Sequence, residues 1–150
     1  MTIEQRLKTH ASLLRKIQIT ERRLKVLSED LASPTTTDPA RTSVQGGQAD
    51  DPLPSKLHQL EMLRAELESL YVLRDQEHAE LWEITGSLSD AYEIFVLRSY
   101  YFWLLGREEA AHQLFGDRED FKQRTKYYLH RISRLHSSAI AKLRKKQAKD

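Results

Sequence analysis

The chain has 150 residues, 39% hydrophobic and 31% charged, with a formal net charge of +2 and no cysteine. That length holds one domain, or one compact domain with an arm, and the lean, charged composition favours exposed helices or coiled coil over a thick sandwich. The missing cysteine excludes disulfides, thiol catalysis and cysteine-ligated zinc and fits a reducing, cytoplasmic location, and no run of ~18 apolar residues exists to cross a membrane.

Residues 3–31 read as one amphipathic helix. Ile3, Leu7, Leu14, Ile17, Leu24 and Leu31 follow three-and-four spacing, and Leu13 and Leu27 widen the stripe. His10, Glu21 and Ser28 fall where a coiled coil wants apolar side chains. The start, Met1 to Leu14, is charged and is not expected to act as a signal peptide. All four prolines and two of the five glycines, Gly46 and Gly47, then gather between 33 and 55. A stretch so poor in apolar residues cannot bury enough surface to offset its ordering entropy, so 34–54 is expected to be a flexible linker.

A second long helix is expected over 55–85, with Ser55 as N-cap and Leu57, Leu60, Leu63, Leu67, Leu70, Leu73, Leu81 and Ile84 as its stripe. A helix of about 30 residues spans ~45 Å. Two of them joined by a loop pair naturally as an antiparallel hairpin or coiled coil, the element expected to set a homo-oligomer.

After Gly86 the texture changes: ten of the twelve aromatic residues lie between Tyr92 and Tyr128. Ser89 or Asp90 can cap a helix running to Leu105 and ended by Gly106. A short helix follows over Arg107 to Phe115, ended by Gly116. Asp117 can cap a final helix running to about Lys146, with Phe121, Tyr128, Ile132, Leu135, Ala139 and Leu143 on one face. Nothing alternates as a strand does. The expected fold is all-α, divided into an N-terminal helix (1–33), the linker (34–54), the second long helix (55–88) and a three-helix unit with a basic tail (89–150).

Enzyme chemistry finds little support, and no catalytic residue, cofactor or metal is expected. Gly46-Gly47 has no preceding strand to make a phosphate loop, and no serine sits in a nucleophile elbow. Glu109 with His112, and Asp75 with His78, have acid-x-x-His spacing. Di-iron bundles need two Glu-x-x-His pairs and two more glutamates, whereas single acid–histidine spacings recur by chance in charged helices. The block Tyr100-Tyr101-Phe102-Trp103 could stack on bases, but aromatics on a helix are mostly core.

Charge is more telling. Residues 34–120 carry seventeen acids against seven Lys/Arg, whereas 121–150 carry ten Lys/Arg against one acid. A basic segment on an acidic body points to a polyanion, most commonly nucleic acid. The helix dipole accounts for cations at 142–149, but it disfavours those at Lys122, Arg124, Lys126, Arg131 and Arg134 in the first half of the final helix. Tyr127, His130 and Ser133 share its polar side. A short helix, a glycine turn and a longer basic helix follow helix-turn-helix order, with the last helix placed to enter the major groove of double-stranded DNA.

The C-terminal half resembles phage-encoded transcriptional regulators of the RinA and ArpU kind, whose terminal unit resembles region four of bacterial sigma factors. The resemblance covers roughly residues 44–145. It rests on Val44-Gln45-Gly46-Gly47, the Leu/Glu-rich helix from Lys56, and Leu97-Arg98-Ser99-Tyr100-Tyr101-Phe102. It continues through Arg107-Glu-Glu-Ala-Ala-His-Gln-Leu-Phe-Gly116 and Arg131 to Leu143. It implies a sequence-specific DNA-binding regulator that activates late or packaging genes with host RNA polymerase, with Arg107 and the tail on phosphates. Such proteins pass from the turn glycine to the recognition-helix histidine in about ten residues, whereas Gly116 to His136 is twenty here. Residues 117–124 therefore either lengthen the helix or add a turn. One register puts Arg131 and Arg134 at the bases; the other puts Gln123, Lys126, Tyr127 and His130 there. The alternative function is a coiled-coil adaptor that binds no DNA.

Overall fold

The computed structural model describes residues 1–32 and 52–149. They form five α-helices and no strand: α1 (Ile3–Ala32), α2 (Pro52–Gly86), α3 (Ala91–Tyr101), α4 (Arg107–Phe115) and α5 (Thr125–Lys149). The linker expected over 34–54 lies outside the described residues, except for its last three, which open α2. Ser55 is thus inside the helix and not its cap. Prolines are tolerated there because the first-turn N–H groups have no intrahelical acceptor to lose.

The chain divides into two compact units whose boundaries fall inside the long helices: Met1–Arg15 with Leu73–Asp150, and Lys16–Val72. In each, the segments of α1 and α2 run antiparallel. Arg6 pairs with Glu77 and Glu80 in the first unit, and Lys56 with Asp30 at 3.4 Å in the second.

In the second unit Ile17, Thr20, Leu60, Leu67 and Leu70 are buried. Thr20 takes the seam position that the spacing gave to Glu21, which is exposed, and Leu57 falls outside the seam, as does Leu73 in the first unit. Thr20 can be buried because its hydroxyl donates to the Lys16 carbonyl at 2.8 Å, leaving no polar atom unmet.

In the first unit, Ile3, Leu7 and Ala11 of α1 and Leu81 of α2 join Leu97, Tyr101, Ala139, Ile140 and Leu143 in one cluster. A second cluster, Val96, Ala110, Ala111, Phe115, Tyr128 and Ile132, holds α3, α4 and α5 together. The ends of the two long helices therefore complete the core of the unit that contains α3–α5.

Of the two ends of α3, the first is as expected and the second is not. Asp90 caps α3, accepting from the Tyr92 N–H at 2.8 Å. The helix stops at Tyr101, not Leu105. The chain turns through Leu104 at φ 56°, and the Leu105 N–H reaches back to the Ser99 carbonyl at 2.7 Å. A leucine is an unusual occupant of left-handed backbone; here its side chain packs on the first cluster. Gly106 is thereby freed to become the N-cap residue of α4. Gly116 stays at φ −64°, so conformational freedom is not its role. A Cβ there would lie 2.2 Å from the His112 carbonyl oxygen, so the close approach is what requires glycine.

Candidate nucleic-acid interface

The final helix does not begin at Asp117. Residues 116–124 form successive turns, and α5 starts at Thr125. Side-chain packing holds these turns. The Tyr128 hydroxyl donates to Asp120 at 2.5 Å, and Phe121 packs against His112 and Tyr128 with centroids 5.7 and 5.6 Å away. The Arg118, Phe121 and Arg124 N–H groups donate to the carbonyls of Phe115, Arg118 and Asp120. The hydrogen bond from Tyr128 holds the Asp120 carboxyl below the usual carboxylate range, and the same bond pushes the Tyr128 phenol up.

This start divides the sequence candidates. Lys122, Gln123 and Arg124 lie in the turns before α5, all exposed. Arg124 lies 3.4 Å from Asp120 and sits over the Tyr127 ring at 4.1 Å. Lys126, Tyr127, His130 and Arg134 are exposed on α5 at helical spacing. Tyr128, Ile132, Ala139, Ile140 and Leu143 point the other way, into the core. Arg131 is not on the outward stripe. It is half-buried, its guanidinium 4.8 Å from the Phe115 ring centroid and 5.7 Å from that of Tyr92. Arg107 is exposed at the start of α4 and reaches Ser133 Oγ at 3.4 Å, which ties the two helices together beside the stripe. One exposed cation, Arg118 in the turns, escaped the sequence reading because Asp117, Glu119 and Asp120 surround it and mask its sign.

The remaining candidates find plainer roles. Tyr101 and Phe102 are buried and Tyr100 is half-buried, so most of the aromatic block is core. Trp103 is exposed but lies against Phe95 and Trp82. His78 meets His10 at 3.2 Å while Asp75 pairs with Arg74, and His112 packs on Phe121. Among the described residues, no three His, Asp or Glu side chains are grouped to hold a metal. No described helix is long and apolar enough to cross a membrane. The chain matches no protein-family model, no curated protein and no solved structure.

Proposed function

We propose that the chain is a sequence-specific DNA-binding transcriptional regulator whose outward face of α5 lies against double-stranded DNA. One observation carries the reading: Lys126, Tyr127, His130 and Arg134 form an exposed stripe with no carboxylate on it, next to exposed Lys122, Gln123 and Arg124. Cations in the first half of a helix gain nothing from its dipole, and a solvated face would mix both signs. Phosphate neutralisation asks for this excess, and base edges are read by Arg, Gln and His. The three-helix packing of α3, α4 and α5 suits a helix-turn-helix, with an elongated turn over 116–124. In this register Gln123, Lys126, Tyr127, His130 and Arg134 face the groove, Arg107, Lys122 and Arg124 meet phosphates, and Arg131 braces α4 from behind.

The resemblance to phage regulators extends the proposal to late-gene activation with host RNA polymerase in a bacterial cytoplasm. The exposed apolar residues Ile19, Val26, Met62 and Val72 support self-association through the second unit. The adaptor reading would use the same apolar positions and leave the basic face idle. The test is fluorescence anisotropy on a duplex selected from random sequence and on an unselected duplex. Lys122→Ala should weaken both alike and lower the salt slope by about 1. Arg134→Ala should cost ~1–3 kcal/mol on the selected duplex and little on the other. Unchanged affinities for both variants would leave only the adaptor.

A further inference from the structure

A cleft of about 580 Å³ opens beside the N-terminal end of α4. One part of its lining is apolar and aromatic, from Tyr100, Tyr101 and Leu105; the other is cationic, from Lys8, Arg15 and Arg107, and no acid lines it. Arg15 and Arg107 form no ion pair among the described residues. Arg107 makes one long hydrogen bond, 3.4 Å to Ser133 Oγ. Lys8 lies 3.4 Å from Glu4, but Glu4 also meets Arg144, so one carboxylate is shared by two cations. The Tyr101 hydroxyl is occupied by His136 Nε2 at 2.7 Å. That of Tyr100 has no hydrogen-bond partner among the described residues. Two exposed guanidinium groups without an ion pair therefore stand next to a half-buried phenol ring, an arrangement that suits an anion carrying a flat ring.

The size falls within the ~300–1,000 Å³ of small-molecule sites and exceeds what a bare phosphate fills. Arginine forks bind phosphate oxygens in pairs, and flat aromatic faces take bases irrespective of sequence. We propose that this cleft binds a nucleotide unit, with its base against Tyr100 and Leu105 and its phosphate between Arg15 and Arg107, Lys8 adding charge at the side. The unit is supplied either by a free nucleotide or by an unpaired strand. This site is separate from the duplex face of α5 and shares only Arg107 with it.

Gly106 lines the same cleft, and its backbone makes a clean probe possible. It has φ −79° and ψ 173°, ordinary for any residue, and a Cβ there meets nothing within 4 Å. It is also the N-cap residue of α4 and supplies no side-chain cap. Gly106→Asp therefore caps the helix while placing a negative charge in the cleft.

Isothermal titration at low salt would compare adenosine monophosphate, adenosine and inorganic phosphate on the full chain. The monophosphate should bind one to one, at least about tenfold tighter than either fragment. Arg15→Ala and Arg107→Ala should each weaken it about tenfold, and Gly106→Asp should abolish binding while melting at the same temperature or higher. A short single-stranded oligo(dA) that displaces the monophosphate with higher affinity identifies the strand as the source; failure to displace it identifies the free nucleotide. Equal affinity for monophosphate and phosphate, or unchanged monophosphate binding by folded Gly106→Asp, overturns the proposal. Duplex affinity measured on Arg15→Ala separates this outcome from that for α5, because Arg15 belongs to the cleft alone.

Discussion

Acidification should unlock the first unit at one pair, buried His10 and half-buried His78. His10 is 2% exposed, its Nε2 is 3.2 Å from His78 Nδ1, and its Nδ1 has no partner. Both rings pack on Phe102, with centroids 5.0 Å away. Burial, and then the neighbouring His78, hold His10 down to about 4, with Arg74 adding to the effect and Glu77 opposing it. Burial lowers His78 as well. The folded state thus favours neutral His10, whereas the unfolded chain takes up a proton near 6.5. The stabilisation is complete above pH 6.5 and is lost as pH falls from there through about 4. One proton across that window is worth about 3 kcal/mol, most of it gone by pH 4.5. Other groups titrate there too, so the comparison is with His10→Phe, which keeps an aromatic ring and removes the proton. Urea melts at pH 7.0 and 4.5 should show the native chain losing about 2 kcal/mol more than the variant over the same interval. Equal losses in the two chains would refute the assignment.

Phe115→Ala removes a fully buried ring, 5.1 Å from Tyr128 and beneath Arg131, and should cost about 3–5 kcal/mol in a thermal or urea melt. Lys142→Met strands the buried Glu93 carboxylate, which then keeps only Ser138 at 3.4 Å. Because Lys142 is itself half-exposed, the expected loss is about 1–3 kcal/mol, and adding Glu93→Gln should recover part of it. Leu63→Glu with Leu70→Glu puts carboxylates on the inner face of α2 in the second unit. Helicity by circular dichroism should fall, since burying unpaired charge costs several kcal/mol; an unchanged spectrum and unchanged mass by light scattering would place that face in solvent.

What the sequence alone determines here is what local physics controls. Three-and-four spacing over tens of residues is unambiguous, so both long helices and the all-helical class can be read from it. The Asp90 cap and the short α4 are equally local, set by a side chain one turn from its N–H or by two nearby glycines. Segmental charge also survives any fold, which is why the basic C-terminal stretch stands out. Tertiary structure decided the rest. The spacing of α1 allows either Thr20 or Glu21 in the seam, and only packing against α2 selects Thr20. The start of α5 depends on Tyr128 reaching Asp120 and on Phe121 finding His112, contacts between side chains on different elements. Those contacts convert an apparent helix at 117–124 into turns, move Lys122, Gln123 and Arg124 off α5, and leave Arg131 against Phe115. The cleft with Arg15 and Arg107 has no trace in the linear order, because its cations lie 92 residues apart in the sequence. They line one cleft because Ile3, Leu7 and Ala11 of α1 pack into the core shared with α3 and α5.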